Sequence, residues 1–438
     1  NSICDTLQRT GYQALLVGGC VRDILLGREP VDFDVTTDAP PDRVVQLFPE
    51  SIAVGARFGV VLVPGNGGKV EIATFRSDVG YSDGRHPDEV VYATRPEDDV
   101  SRRDFTINGL LMRHDTGEVL DFVGGRADLT AGIIRAIGEP SRRFAEDKLR
   151  MLRAVRFAAR FGYTIEPATL SAIQQHAAQI HIVSAERIRE ELTKLLAEGS
   201  ARRGFELLDI SGLLPHVLPE IAAMKGVAQP PEYHPEGDVW VHTLMLLDGL
   251  PPQPSTTLAW GALLHDVGKP PTFRPASETG DRIRFDNHVE VGVSMAQEIL
   301  RRLRFSKDET EQILALVANH MKFKDVGQMR QSTLKRFVRL PRFEEHLELH
   351  RLDCLASHGK LDAYHAVRDF LAATPEEQVR PPRLLSGDDL QDMGYCPGPS
   401  FQAMLRAIED GQLEGSIQSK EEAIHYIRAH YPLSRVSR

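Results

Sequence analysis

Two aspartates two residues apart, Asp32 and Asp34 in Pro30-Val31-Asp32-Phe33-Asp34-Val35, follow the apolar run Leu15-Leu16-Val17 and the pair Gly18-Gly19. In an extended strand, side chains at i and i+2 leave the same face, so their carboxylates can share a divalent cation. A strand ending in two glycines lets the backbone approach a phosphate that side chains would otherwise block. Arg22 and Asp23 then fall in a short helix predicted from Val21 to Leu26, which Gly27 can end in the left-handed conformation, and Arg22 is placed to pair with a phosphate. The same residues also fit an ordinary strand, a glycine turn and two solvated acids.

If the acids act together, Asp32 and Asp34 would hold one or two Mg²⁺ ions bridging a nucleoside triphosphate and an attacking hydroxyl. Glu71, in the later strand Lys69-Val70-Glu71-Ile72-Ala73, is the candidate third carboxylate, or else a surface glutamate. A second cluster, Arg102-Arg103-Asp104-Phe105-Thr106-Ile107-Asn108, offers guanidinium forks for triphosphate oxygens, with Asp104 and Asn108 able to reach ribose hydroxyls. Its plain alternative is a capped helix start with a surface salt bridge.

The third cluster, Glu146 to Phe157, predicts a helix with Asp147 and Arg150 three apart on one surface. Cytosine and adenine each present an exocyclic amine beside a ring-nitrogen acceptor, so a carboxylate can take the first and a guanidinium serve the second. Guanine and uracil reverse that order, at about 1–3 kcal/mol for each group left unsatisfied. Two side chains could thus choose C and A, although an exposed intrahelical ion pair is the plainer reading. Arg153 lies near the Arg150 side; Arg156 falls half a turn from Asp147 and would meet triphosphate or RNA backbone, or solvent.

A chain of 438 residues suggests about two to four domains. Hydrophobic content of 42% and charged content of 26% fit a soluble globular protein, no apolar run could span a bilayer, and Asn1 to Gln8 lacks the pattern of a secretory signal. A cytoplasmic protein is expected. Cys4, Cys20, Cys354 and Cys396 form no C-x-x-C pair and read as buried small residues. A net charge of −10 argues against indiscriminate coating of nucleic acid. Residues 141 to 210 nevertheless carry 12 Lys/Arg against 9 Asp/Glu, a local excess that permits RNA binding and equally fits a solvated helix face.

Strand-like segments with glycine turns fill residues 1–140, and helical periodicity takes over from about Arg142. Proline- and glycine-rich breaks then delimit segments 141–228, 229–371 and 372–438. In the third segment stand His242, His265-Asp266, His288, His320 and Asp353, with the histidines on separate predicted helices. Imidazoles with a bridging carboxylate suit transition metals, which bring the pKa of bound water toward neutrality for phosphoester attack. This order resembles an HD-type phosphohydrolase domain. His346, His350 and His358 read as packing or surface residues.

In order along the chain, Leu16 to Asp23 with Asp32-Phe33-Asp34, Arg102 to Asn108, Asp121-Phe122-Val123-Gly124-Gly125-Arg126-Ala127-Asp128-Leu129, Glu146 to Arg150, and Ala185-Glu186-Arg187-Ile188-Arg189-Glu190-Glu191-Leu192 resemble the class II tRNA nucleotidyltransferases. These are the bacterial CCA-adding enzymes, which share a catalytic head with bacterial poly(A) polymerases. The resemblance implies an α+β fold: a polymerase-β-like head with a mixed or antiparallel sheet at 1–140, then an all-α neck and body (141–228), HD region (229–371) and tail (372–438). It implies addition of C, C and A to tRNA from CTP and ATP, with Mg²⁺ on Asp32 and Asp34. Gly19, Arg22, Arg103, Asp147, Arg150, Arg153 and Arg156 would contact the incoming nucleotide, with Gly18 beside them, and Asp147 and Arg150 would be its protein template.

The segment Phe75 to Pro87 looks like the intact flexible element that CC-adding relatives lack in part, so full CCA addition or A addition alone is expected. Val54-Gly55-Ala56-Arg57-Phe58-Gly59 resembles the CCA-adding rather than the poly(A) branch. Asn108-Gly109-Leu110-Leu111 departs from the small residues and methionine usual there. More distant alternatives are a metal phosphohydrolase with an RNA-docking head and a non-catalytic RNA scaffold.

Overall fold

The computed structural model describes residues 2–55, 59–65, 68–80 and 88–433. Two compact units are formed: Asn1–Val227 with Leu250–Ala259 and Glu298–Phe305, and Ala228–Gly249 with Trp260–Gln297 and Ser306–Arg438. Ala56 to Phe58, on which the poly(A) comparison turns, and Tyr81 to Pro87 of the flexible element lie outside the described residues.

The first unit is built on a seven-stranded mixed sheet, as the α+β reading expects. Its strands are β1 (Ala14–Val17), β2 (Asp34–Thr37), β3 (Ile52–Gly55), β4 (Val60–Gly65), β5 (Gly68–Thr74), β6 (Leu111–Arg113) and β7 (Val119–Leu120). They run in the order β3-β4-β5-β2-β1-β6-β7. Only β2 and β5 pair in parallel, with Asp34 opposite Glu71; the other neighbours are antiparallel. Alternating residues feed two apolar clusters, one around Leu7, Val35, Val61 and Ile72, the other around Leu15, Val17, Phe75 and Leu111.

Beyond β1 the chain turns at Gly18, whose φ of 77° and ψ of −128° suit a residue without Cβ. Helix α1 (Gly19–Leu25) follows, and Gly27 closes it at φ 69°. That turn has a consequence for Asp32. Because β1 ends at Val17, β2 begins only at Asp34, and Asp32 lies in the preceding bend rather than in the strand. The pleat therefore does not place the two acids on a common face as the sequence suggested.

A second correction concerns the helix expected over residues 146–157. Helix α2 (Pro140–Glu146) stops, Asp147 is extended at φ −142° and ψ 107°, and α3 (Leu149–Phe161) starts afresh. The Asp147 carboxylate accepts the Leu149 backbone N–H at 3.0 Å, the competing local bond by which aspartate interrupts helices. Asp147 and Arg150 are thus not helical neighbours. Helix α4 (Ala185–Ala197) packs against α3.

The second unit is helical. It holds α5 (Val239–Asp248), residues 260–264 of α6 (Thr256–Leu264), residues 288–297 of α7 (His288–Arg302), α8 (Lys307–Asn319) and α9 (Phe343–Ala356), which carry or border the histidine segment. Phe323, Phe337, Phe343 and Leu347 centre one core, and Leu385, Leu390, Met404 and Ile427 another nearer the C-terminus. No described helix is long and apolar enough to cross a membrane. Cys4, Cys20 and Cys354 are buried, whereas Cys396 is exposed, contrary to the expectation for that residue.

His346 on α9 is buried, its Nε2 has no hydrogen-bond partner, and burial lowers its pKa to about 4. From pH 6.5 down to 4 the unfolded ring takes up a proton that the folded site refuses, so stability falls with pH across that window. His346→Leu is expected to remove about 2 kcal/mol of that fall between pH 7 and pH 4.5. The measurement is urea unfolding followed by fluorescence of Trp240 and Trp260, the two tryptophans of the chain.

Candidate functional site

A cleft of about 690 Å³ in the first unit collects nearly all the residues singled out above. The Gly18-Gly19 turn, Asp32 and Asp34 line it together, so the acids meet despite the bend between them. Burial raises the Asp34 carboxyl, the nearby charges of Glu71 and Asp32 add to that, and its pKa reaches about 6 despite Arg103. Crowded carboxylates of this kind fit a cation. Glu71 stands beside Asp34 across the β2–β5 pair but is exposed and does not line the cleft.

The glycine turn lies against two guanidiniums. A Cβ added to Gly18 would stand 3.5 Å from Arg103 Nη1, and one added to Gly19 3.6 Å from Arg22 Nη2. Arg22 is buried under the rings of Phe161 and Phe157, 4.7 and 5.5 Å from their centroids, and donates to Asp23 and, at 2.7 Å, to Asn108 Oδ1. Asn108 Nδ2 in turn donates to Asp104 at 3.1 Å, and Arg153 donates twice to Asp104 Oδ2, at 2.9 and 2.7 Å. Burial opposes the Asp104 charge, yet Arg153 and Asn108 bring its pKa down to about 2.

Asp99, which the sequence reading passed over, is fully buried and anchors both arginines of the second cluster. Its Oδ1 accepts from Arg102 Nε and Nη2, at 2.9 and 2.6 Å, and its Oδ2 from Arg103 Nη2 at 3.0 Å. The Thr36 hydroxyl on β2 donates to the same Oδ2 at 3.3 Å, tying this anchor to the strand that carries Asp34. A surface salt bridge is therefore not what Arg102 and Arg103 make.

Across the cleft, Asp147 receives a two-pronged bond from Arg187 of α4, at 2.9 and 3.4 Å. Arg150 pairs with Glu146 at 3.0 Å and donates to the Arg102 carbonyl at 2.8 Å. Arg156 lies over the Phe157 ring and donates to Glu191 at 2.7 Å and Glu198 at 2.9 Å. Asp99 and Glu146 stand at helical spacing from the arginines they hold and cannot be told from surface pairs until burial is known, whereas Glu191 and Glu198 lie 35 and 42 residues from Arg156 and no spacing joins them. Arg187 lies within Ala185 to Leu192, where the residue pattern alone assigns it no role.

The motif Asp121 to Leu129 is explained locally. Asp121 caps the following helix by accepting N–H groups of Val123, Gly125 and Arg126. A side chain at Gly125 would collide with the Thr106 carbonyl oxygen, so this glycine sets how closely the two motifs approach.

In the second unit, all six predicted ligands converge. His242 Nε2 lies 3.3 Å from His265 Nε2 and 3.2 Å from Asp353 Oδ1, and His265 Nε2 lies 3.1 Å from Asp266 Oδ2. His288 and His320 each bring Nε2 to 3.8 Å from Asp266 Oδ1. Two donor groups result, His242 with His265 and Asp353, and Asp266 with His288 and His320. The Nε2 atoms of His288 and His320 are buried without hydrogen-bond partners, and burial lowers the pKa of both rings, that of His320 to about 4. Neutral imidazoles with unused lone pairs are what a metal ion requires. Glu236 and His234, absent from the sequence reading, join the edge of the cluster. Of the histidines expected to be merely packing or surface, His346 and His350 are buried, and His350 and His358 line the 590 Å³ cavity beside the cluster.

Sheet head, cleft and histidine cluster together define a nucleotidyltransferase joined to an HD domain. The family described as Poly A polymerase head domain matches residues 14–135, the Probable RNA and SrmB- binding site of polymerase A matches 162–225, and the HD domain matches 238–340. A CCA-adding enzyme of Geobacillus sp. (strain WCH70) is 30% identical over 436 residues, covering 99% of this chain and 96% of that protein. One of Latilactobacillus sakei subsp. sakei (strain 23K) is 37% identical over 270 residues, 60% of this chain and 68% of that protein. Among solved structures, the Bacillus stearothermophilus CCA-adding enzyme in complex with CTP superposes with a TM-score of 0.75 at 26% identity, covering 98% of this chain and 96% of that chain. The chain belongs to the family of CCA-adding enzymes.

Removing the buried anchor should expose its structural role. Asp99→Ala removes the fully buried carboxylate that grips both Arg102 and Arg103 and is expected to lower stability by about 3 kcal/mol. Urea unfolding followed by circular dichroism measures this; a change below about 0.5 kcal/mol would show the pairs to be no better than surface ones.

Proposed function

We propose that this chain adds C, C and A to the 3′ end of tRNA from CTP and ATP, with no nucleic-acid template. The observation that carries the reading is the convergence in one cleft of an acid pair, a glycine turn between guanidiniums, and the Asp147 and Arg150 side chains. Bound at Asp32 and Asp34, Mg²⁺ would supply charge stabilisation for the entering and leaving oxygens of an in-line displacement. Gly18 and Gly19 leave the backbone open to the triphosphate, and Arg22, Arg103, Arg153 and Arg156 supply cations along it. Asp104 and Asn108 act from beneath, holding Arg153 and Arg22 in place. The tRNA 3′-hydroxyl attacks the α-phosphorus, and pyrophosphate leaves.

Base choice follows from acceptor and donor inventory. As a carboxylate Asp147 only accepts, and as a guanidinium Arg150 only donates, so amine-bearing C and A fit where U and G oppose like with like. Arg187 and Glu146 hold these two groups where helical spacing does not. The neck and body (141–228) and the tail (372–438) are assigned to backbone and shape contacts with tRNA, and the setting is the cytoplasm.

The histidine cluster supports a second, separate chemistry. Its nitrogen donors and bridging carboxylate suit a transition metal that activates water for phosphoester hydrolysis.

Asp32→Ala and Asp34→Ala are each expected to reduce CTP and ATP incorporation at least about 10³-fold with tRNA binding unchanged; retained incorporation refutes the metal assignment. Asp147→Ala is expected to narrow C-over-U and A-over-G preference about 10–100-fold, read by single-nucleotide extension. The same assay on tRNA lacking CCA, or ending in CC, decides between full addition and A addition alone. Extension only of the CC-ended tRNA would overturn full CCA addition.

A further inference from the structure

One carboxylate in contact with the histidine cluster has no place in its H, HD, H, H, D order. Glu236, six residues before His242, is 3% exposed at its side chain, and its Oε1 lies 2.7 Å from His242 Nδ1 and 2.8 Å from His234 Nδ1. The two rings meet edge to face at 4.9 Å. On its far side, His242 turns Nε2 toward His265 and Asp353.

The other histidines of the cluster are oriented differently. His265, His288 and His320 each place Nδ1 against the carbonyl three residues upstream, that of Ala262, Phe285 and Val317, at 2.8, 3.0 and 2.6 Å. A proton on Nδ1 shared with that carbonyl leaves Nε2 as a lone pair facing the centre. His242 sits inside α5, where the corresponding carbonyl, of Val239, already accepts the Thr243 hydroxyl at 2.8 Å. Without a backbone acceptor, its Nδ1–H needs another partner.

We propose that Glu236 is the positioning residue of the metal centre: it accepts Nδ1–H of His242, fixing that ring with its Nε2 lone pair turned toward His265 and Asp353. This rests on reading the histidine cluster as a metal centre. His234 shares the Glu236 oxygen and stands at the cavity edge, so it is held by the same carboxylate without being needed for the orientation of His242. Carboxylate partners of ligating imidazoles typically contribute 10–100-fold to metal affinity.

The test titrates the full chain, stripped with chelator, with Mn²⁺ and follows binding by calorimetry. Wild type is expected to show a binding event, beyond any at the Asp32 and Asp34 pair, that His265→Ala lacks. Glu236→Gln, similar in shape, is expected to bind 10–100-fold more weakly, while His234→Ala, which keeps the Glu236–His242 bond, stays within about threefold of wild type. Wild-type affinity in Glu236→Gln, alongside loss in His265→Ala, overturns the role of Glu236 and leaves the metal centre standing. An equal loss in His234→Ala overturns it too, because the loop as a whole would then be responsible. No binding by wild type beyond that of His265→Ala overturns the metal centre itself, and Glu236 with it. Should Glu236→Gln not fold, the tautomer is read in wild type by nitrogen NMR of the Zn²⁺-loaded, ¹⁵N-histidine-labelled chain. A His242 proton on Nδ1 supports the proposal, and one on Nε2 refutes it.

Discussion

A guanidinium drawn into a folded interior must be paired, because an uncompensated buried charge costs several kcal/mol. This requirement organises the first unit. Each described arginine that lines the cleft is paired with an acid: Arg22 with Asp23, Arg102 and Arg103 with Asp99, Arg153 with Asp104, Arg150 with Glu146, Arg156 with Glu191 and Glu198, and Arg160 with Glu198. Held this way, a long side chain has already lost its rotamer freedom before a triphosphate arrives, and less ordering remains to oppose binding. It also explains how a chain with a net charge of −10 can gather arginines in one cleft: acids are paired with them there and beneath it.

At the end of β2 this arrangement is reversed. Around Asp34, carboxylates crowd one another, with Glu71 across the parallel pair and Asp32 in the bend, and the pKa of Asp34 rises to about 6. The cleft is therefore divided, crowded acids at the end of β2 and arginine forks, each paired with an acid, elsewhere. A Mg-triphosphate has the complementary division, a hard cation at one place and anionic oxygens spread over the rest.

How much of this was legible in the sequence depends on which interactions are local. The Gly18-Gly19 turn and the short helix closed by Gly27 were readable because they are set by backbone preference within a few residues. Spacing arguments failed where a side chain competed with the backbone: Asp147 stops the helix it was expected to sit in, and Asp32 falls in a bend because β1 has already ended at Val17. In both cases the residues still reached the cleft, through contacts distant in sequence. Asp147 is held by Arg187, 40 residues on, and Arg153 meets Asp104 across 49. No periodicity announces such pairs, and only motif resemblance put these residues in one site. Glu236 was invisible for a further reason, since a lone glutamate before a helix carries no pattern at all.

The two proposed centres would ask different things of their ligands, and the sequence meets each demand differently. Oxygen donors for Mg²⁺ can lie on a bend, because that ion keeps several waters and tolerates ligands contributed by substrate. Nitrogen donors for a transition metal must each be turned to present a lone pair, and a ring has two nitrogens that could face the wrong way. Three histidines solve this at helix or turn boundaries, where a carbonyl three residues upstream is available to Nδ1. A histidine within a helix, such as His242, finds that carbonyl engaged and must recruit an acid from outside the helix. The demand for outside carboxylates thus follows from where each ligand sits along its helix, which makes the position of a histidine within its element as informative as its spacing from the next.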